Sequence, residues 1–180
     1  MAELSIGDQA PDFELFDTGG DSHSLLEGGG WPATAVIFTC NHCPYALAWH
    51  DRILAVASDY AERGVRVLAI NPNDAERYPA DSFEAMKERV REDGGWPLPY
   101  LHDESQEVAR GFGARTTPDV FVVDGEGRVR YRGAPDGDHQ DPSLNAELLR
   151  DALDAVLEGR DPDPAETEPV GCSVKWKQSA

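Results

Sequence analysis

Three short apolar runs lie along the chain, each typical of a strand that is buried on both faces of a sheet. They are TAVIFT (34–39), VRVLAIN (65–71) and DVFVVD (119–124). Between the first two runs, apolar residues recur at the spacing of one helix face, namely Trp49, Ile53, Val56 and Tyr60, and Gly64 follows as the expected C-cap. This order predicts a βαβ unit with parallel strands and a right-handed crossover.

Strand and helix patterns continue along the rest of the chain. Helices are predicted over 82–93, 104–112 and 145–158, a strand over 100–103, and a β-hairpin at 124–127. This order predicts an α/β fold with helices on both faces of one sheet. The stretch GRDPDPAETEP, which begins at residue 159, is rich in proline and acidic residues and favours an extended connector. We therefore divide the chain into a domain, residues 1–158, and a connector with a Cys-containing tail, residues 159–180.

The chain is strongly acidic. Its 180 residues include 34 acidic side chains against 16 lysines and arginines, which gives a formal net charge of −18. Nucleic-acid partners are disfavoured, because a phosphate-binding surface needs clustered cations. A membrane is disfavoured as a partner because no apolar run approaches the roughly 20 residues of a spanning helix. The opening MAELSIGDQAPDF has neither the basic nor the apolar region of a signal peptide, so we expect a cytoplasmic protein.

Two of the three cysteines, Cys40 and Cys43, form a Cys-x-x-Cys motif in the stretch FTCNHCPY, where the first apolar strand ends and a helix begins. The free N–H groups at a helix N-terminus stabilise a thiolate and lower its pKa. Asn41 is the expected N-cap, and Pro44 suits the first helical turn. A protonated His42 would add a cation beside the Cys40 thiolate, which would make the disulfide more oxidising.

Several uses of such a thiol pair are possible. Stable structural disulfides are uncommon in the cytoplasm, so the pair is expected to be catalytic or metal-binding. A structural zinc site needs four ligands, whereas this chain offers one Cys pair, a distant Cys172 and scattered histidines. Two buried structural cysteines are a further alternative. We expect redox chemistry with no metal and no cofactor, because a Cys-x-x-Cys pair at a strand-to-helix junction is typical of redox sites.

Four stretches of the chain resemble the redoxin family, the peroxiredoxin-like or AhpC/TSA-like branch of the thioredoxin superfamily. They are GDQAPDFELFDTGG (7–20), CNHC (40–43), GARTTPDVFVVD (113–124) and the tail GCSVKWK (171–177). The resemblance implies a thioredoxin-like fold over about residues 3–158, in which a central mixed β-sheet is flanked by helices on both faces and carries an N-terminal extension and a C-terminal tail. It also implies a cis peptide bond at Thr117–Pro118 opposite the disulfide, with the Thr117 backbone presented to a bound substrate strand.

The resemblance implies a thiol–disulfide oxidoreductase, in which the Cys40 thiolate attacks a substrate sulfur and Cys43 then releases the reduced substrate. Its partners would be a protein or small-molecule disulfide or thiol and an electron-donor thiol system, and the chain could form a homodimer. A thiol-dependent peroxidase is the alternative, with Cys43 or Cys40 as the peroxidatic residue. In the family's Pro-x-x-x-Thr-x-x-Cys segment, however, Val36 stands for the proline and Cys40 for the threonine. A non-catalytic binding module is the third interpretation.

Two further observations concern the surroundings of the pair. The strand before Cys40 contains no acidic residue, although many thioredoxins bury an aspartate there that assists proton transfer. The tail around Cys172 becomes apolar again after the acidic connector and carries two of the three lysines of the chain, so it should be attracted to the acidic body. We predict that the tail folds back, buries Trp176, and brings Cys172 to the Cys40–Cys43 pair or to a partner subunit as a resolving or relay thiol.

Overall fold

A computed structural model of the chain describes residues 4–26 and 29–178. The strands are β1 (Glu14–Phe16), β2 (Ser22–Ser24), β3 (Ala33–Phe38), β4 (Val65–Asn71), β5 (Tyr100–His102), β6 (Thr116–Thr117), β7 (Asp119–Asp124), β8 (Val129–Gly133) and β9 (Cys172–Ser173). The helices are α1 (Pro44–Tyr60), α2 (Phe83–Glu92), α3 (Glu107–Phe112) and α4 (Glu147–Leu157). The three apolar runs form β3, β4 and β7, and each predicted helix is present with ends that differ by at most three residues.

The central sheet is mixed and has the strand order β5-β4-β3-β7-β8. Strands β3, β4 and β5 are parallel, so the strand–helix–strand unit of β3, α1 and β4 is confirmed. Strand β7 runs antiparallel to β3, and β8 forms a hairpin with β7. The central position of β3 explains its continuous apolar sequence, since both of its faces and both of its edges are covered.

Alternate side chains of β3 enter two separate apolar cores. Ala35 and Ile37 pack in the core that α1 and α4 cover, whereas Val36 and Phe38 pack in the core that α3 and the N-terminal extension cover. This arrangement is the thioredoxin-like fold that the resemblance implies. It places the C-terminal end of β3 and the N-terminal end of α1 at one edge of the domain, where the Cys pair lies.

The connector and tail return across the domain. Residues 159–169 run irregularly beside β8, where the backbone N–H of Arg132 donates to the carbonyl of Ala165 (3.1 Å). Strand β9 then pairs antiparallel with β6. Trp176 packs against the second core and is half-buried, so its predicted burial is confirmed in part: its ring also stacks against the Arg110 guanidinium, 4.6 Å from the ring centroid.

The helices over residues 4–26 and 29–178 lack the combination of length and apolar character that a membrane span needs.

Candidate active site

The two cysteines of the motif lie side by side at the N-terminus of α1. Both are free thiols, and both side chains are fully buried. They form a small cluster with Ala46 of α1 and with Cys172 of the tail, which is half-buried. The fold therefore gathers all three cysteines of the chain at one place, although Cys172 is more than a hundred residues from the other two in sequence.

Thr117 lies against both sulfur atoms of the pair. The Thr117–Pro118 peptide bond is cis, as the resemblance implies. The Oγ1 atom of Thr117 lies 3.3 Å from Cys40 Sγ, and Cys43 Sγ donates to the Thr117 carbonyl oxygen over 3.1 Å. One residue thus contacts each thiol through a different polar group, which fixes the two sulfurs relative to the edge of β6.

A buried aspartate, Asp81, supplies the acid that the strand before Cys40 lacks. It lies in a 3₁₀ turn (Pro79–Asp81) just before α2, and its side chain has no exposed area. Its carboxylate accepts hydrogen bonds from the Asn41 backbone N–H (2.6 Å) and from the side-chain amides of Asn71 (3.2 Å) and Asn73 (3.0 Å). These donors hold the carboxylate beside Cys40, whose sulfur lies within 4.8 Å of a carboxylate oxygen.

His42 contacts Asp81, whereas the sequence predicted that it would act directly on the Cys40 thiolate. Its Nδ1 atom forms an ion-pair contact with the Asp81 carboxylate, and its ring stacks on Tyr78 with centroids 5.4 Å apart. The predicted direct effect of His42 on the Cys40 thiolate is therefore incomplete, because an anionic carboxylate stands in the same cluster. His42 acts on the pair together with that carboxylate.

Cys40, His42 and Asp81 are close enough for one ion, since their ligand atoms lie within 4.8 Å of one another. The surroundings argue against a structural zinc site at this place. The Asp81 carboxylate already accepts three hydrogen bonds in addition to its contact with His42, and zinc typically needs a fourth ligand. The arrangement instead places a buried carboxylate next to a thiol, the proximity that proton transfer between them requires.

Asn41 connects the active-site loop to the rest of the domain. It is not the N-cap that the sequence predicts, because Cys43 occupies that position and Pro44 starts α1. The Asn41 side chain instead donates to the Ala80 carbonyl (2.9 Å) and accepts from Tyr100 (2.7 Å) and Arg89 (3.0 Å). Arg89 also donates to the Cys40 carbonyl (3.1 Å). This role of Arg89 could not be predicted from the sequence, since a basic residue on the polar face of a helix looks like an ordinary surface residue.

The two thiols of the pair differ in acidity. The hydrogen bond from Cys40 lowers the pKa of Cys43, and so do the neighbouring Cys172 and the Ala46 backbone N–H in the first turn of α1. The same hydrogen bond raises the pKa of Cys40, as do burial and the charge of Asp81. Burial acts in the opposite direction on Cys43 and raises its pKa, so the lowering comes from these neighbouring donors. These directions favour the thiolate at Cys43, whereas the sequence predicted it at Cys40.

Replacing Cys40 by alanine should raise the pKa of Cys43, because the Cys40 thiol is the main group that stabilises the Cys43 thiolate. A titration of thiolate ultraviolet absorbance, with Cys172 replaced by serine in both proteins, measures this pKa. We expect the lowest titration step to move upward by one unit or more, about 1.4 kcal/mol per unit. A step that stays at the same pH would show that the helix N-terminus alone sets the acidity of Cys43.

The chain is similar to several known proteins over most of its length. The thiol-disulfide oxidoreductase ResA of Geobacillus thermodenitrificans is 26% identical over 129 residues, which cover 71% of this chain and 68% of that protein. The crystal structure of an uncharacterized conserved protein from Geobacillus kaustophilus is 41% identical with a TM-score of 0.92, and the match covers 98% of this chain and 95% of that one. Peroxidoxin BcpB of Mycobacterium tuberculosis shares the fold, with a TM-score of 0.63 at 19% identity over 87% of this chain and 98% of that one.

Residues 6–132 match the AhpC/TSA family, a range that includes the Cys pair, Asp81 and the Thr117–Pro118 bond. The match covers more than half of the chain and agrees with the redoxin resemblance of the sequence. The chain belongs to the AhpC/TSA family.

Proposed function

We propose that this protein is a thiol–disulfide oxidoreductase in which Cys43 attacks the substrate and Cys40 resolves the mixed disulfide. One observation carries the proposal: two buried thiols lie together at a helix N-terminus, each in contact with Thr117, and their surroundings shift their pKa values in opposite directions. Such a pair has one thiol ready to act as a nucleophile and a second that needs a base. The curated relatives named thiol-disulfide oxidoreductase and thiol:disulfide interchange protein support the same activity.

The first step is the attack of the Cys43 thiolate on a sulfur of the substrate disulfide. A bond forms between Cys43 Sγ and that sulfur, and the other substrate sulfur leaves as a thiolate. When Cys43 becomes neutral, the charge that raised the pKa of Cys40 is lost, which makes Cys40 easier to deprotonate. The first step therefore prepares the second.

The second step needs a base for the Cys40 proton, and the Asp81–His42 pair is placed to act as one. Its carboxylate lies beside the Cys40 sulfur and is itself buried, so the proton is transferred within the protein. Cys40 then attacks Cys43 Sγ, the Cys40–Cys43 disulfide forms, and the second substrate thiolate leaves. This order of attack is the reverse of the one that the resemblance implied.

The experiment uses an aromatic disulfide whose thiolate is coloured, so that each step releases one countable equivalent. The wild type should release two equivalents in succession. Cys40→Ser, with Cys172 also replaced by serine so that no third thiol can displace the label, should release one and retain the mixed disulfide on Cys43, which mass spectrometry detects. Cys43→Ser should react no faster than a simple thiol. A mixed disulfide trapped on Cys40 in Cys43→Ser would reverse the assigned order, and a wild type no faster than free cysteine would refute the function.

A peroxidase is the second candidate, because the acidic thiol is Cys43, which stands at the peroxidatic position that the resemblance implies. Hydrogen peroxide in place of the disulfide tests it on the same variants. Peroxide consumption far above the rate of free cysteine, lost in Cys43→Ser, would favour the peroxidase. The electron-donor thiol system, the homodimer and the cytoplasmic location stay predictions.

A further inference from the structure

The tail occupies the edge where a substrate strand is expected to bind. Strand β9 pairs antiparallel with β6, and the pairing register puts Cys172 directly opposite Thr117. Thr117 is the residue that contacts both sulfurs of the Cys pair. A strand that pairs with this edge therefore places the residue opposite Thr117 next to the two thiols. Peptides that bind by adding a strand to a sheet edge are positioned in the same way. In this structure the residue opposite Thr117 is Cys172.

The tail is held by side chains whose polar groups are committed to it. The buried side chain of Gln106 donates to the Lys175 carbonyl (2.9 Å) and accepts from the Lys177 backbone N–H (2.9 Å). The buried Asn73 accepts from the Lys175 backbone N–H (2.9 Å). Without the tail these buried amides would lose hydrogen-bond partners, which is costly for buried polar groups. The domain is thus built to receive the tail in one register.

The docking also depends on a glycine at the point of closest approach. A Cβ atom on Gly171 would lie 2.3 Å from the Thr117 carbonyl oxygen, a distance that real Cβ atoms essentially never show. Only glycine therefore lets the tail backbone lie this close to the active-site edge. The next residue is Cys172, so the close approach brings a third thiol to the pair.

Cys172 lies beside Cys43, and each thiol affects the other. Burial raises the pKa of Cys172 to about 11, and the negative charge of Cys43 contributes, whereas Lys175 acts in the opposite direction. When Cys43 is in a disulfide with Cys40 its charge is gone, so that contribution disappears and the effect of Lys175 stays. Oxidation of the pair therefore makes Cys172 a better nucleophile.

We propose that residues 171–177 are an internal substrate strand and that Cys172 accepts the disulfide from the Cys40–Cys43 pair. The Cys172 thiolate attacks Cys43 Sγ, the Cys43–Cys172 bond forms, and the Cys40–Cys43 bond breaks. Cys40 leaves as a thiolate and takes up, through solvent, the proton that Cys172 lost. One disulfide is exchanged for another, so no further oxidant is needed. The proposal rests on the proposed function, which supplies the oxidised pair.

The exchange moves the disulfide from two fully buried sulfurs to a half-buried tail. An electron donor can attack Cys172 without entering the domain, so Cys172 is where the reductant acts. The docked tail also covers the β6 edge, so the substrates that reach Cys43 while the tail is docked are small disulfides and not extended peptides.

Peptide mapping without reductant tests the exchange after full-length protein is treated with one equivalent of the coloured disulfide. The wild type should show Cys43–Cys172 together with Cys40–Cys43. Cys40→Ser should form Cys43–Cys172 within one chain, about 10²-fold or more faster than it forms dimers, because the two thiols are held together. Cys172 recovered as a free thiol in both proteins would overturn the proposal.

Gly171→Ala tests the tail docking separately. It should suppress Cys43–Cys172 while Cys40–Cys43 still forms, and Gly137→Ala, at a glycine with nothing within 4 Å of the added Cβ, is the matched control. Equal yields of Cys43–Cys172 in the two variants would overturn the internal-strand assignment. The Cys40→Ser result stands alone if Gly171→Ala does not fold. Release of two coloured equivalents without any Cys43–Cys172 would refute the relay and leave the oxidoreductase function intact.

Discussion

Replacing Asp81 by asparagine should slow the second thiol release by roughly 10²–10⁴-fold, the usual contribution of a general base, and leave the first release unchanged. Asparagine has nearly the same shape as aspartate but cannot take the proton of Cys40. The first step does not need that proton to move, because Cys43 is already the more acidic thiol. The second step does need it, because Asp81 lies beside the Cys40 sulfur.

The sign of this effect separates two roles of Asp81. Its negative charge raises the pKa of Cys40, so removing the charge should by itself increase the thiolate fraction and speed the second release. A base role predicts the opposite. Stopped-flow measurement of the two coloured equivalents against pH distinguishes them, since the second release in Asp81→Asn should become steeply dependent on pH.

A matched control is Asp103→Asn, which alters another buried carboxylate. The Asp103 carboxylate accepts hydrogen bonds from the backbone N–H groups of Val108 and Ala109 at the start of α3. The rates of both thiol releases in Asp103→Asn should therefore stay close to those of the wild type. A faster second release in Asp81→Asn would leave Asp81 an electrostatic role only. Equal slowing of both releases would show that the substitution disturbs the site as a whole.

The sequence predicts the strands around the site, the Cys pair and the Thr117–Pro118 bond, because each of them depends on a local sequence pattern. The apolar runs that form β3, β4 and β7 are distinct because each strand is buried on both faces. The motif CNHC is recognised by its spacing, and Thr117–Pro118 by its resemblance to the redoxin segment. Each of these signals is contained within a few neighbouring residues.

The polar partners of the site could not be predicted in this way. Asp81, Asn73 and Gln106 are buried, yet each lies in a loop or turn, where a polar residue is expected to face water. Their roles come from the contacts that the sheet topology creates between distant segments. The return of the tail was predictable from its charge and apolar residues, whereas its pairing with Thr117 depends on the close fit at Gly171.

The second large effect expected is on stability, in Asp136→Ala. The buried Asp136 carboxylate accepts from the Trp49 indole (2.9 Å), from Arg52 (2.8 Å) and from the Ala146 backbone N–H (2.9 Å). It therefore joins α1, the helix that begins at the Cys pair, to the start of α4. Alanine would leave the buried Trp49 and Ala146 donors unpaired and Arg52 without its carboxylate.

We expect the free energy of unfolding of Asp136→Ala to fall by about 3–5 kcal/mol, the usual cost of removing one partner of a buried ion pair. Urea unfolding of the reduced protein measures it, with the change read from the midpoint at an unchanged slope. Asp161→Ala is the control, because the Asp161 carboxylate is 95% exposed and pairs with Arg130 at the surface, where ion pairs contribute about 0–1 kcal/mol. Equal losses in the two variants would mean that Asp136 does not connect α1 to α4. A loss confined to Asp136→Ala would show that the helix carrying the thiol pair is fixed from its buried side, away from the sulfurs.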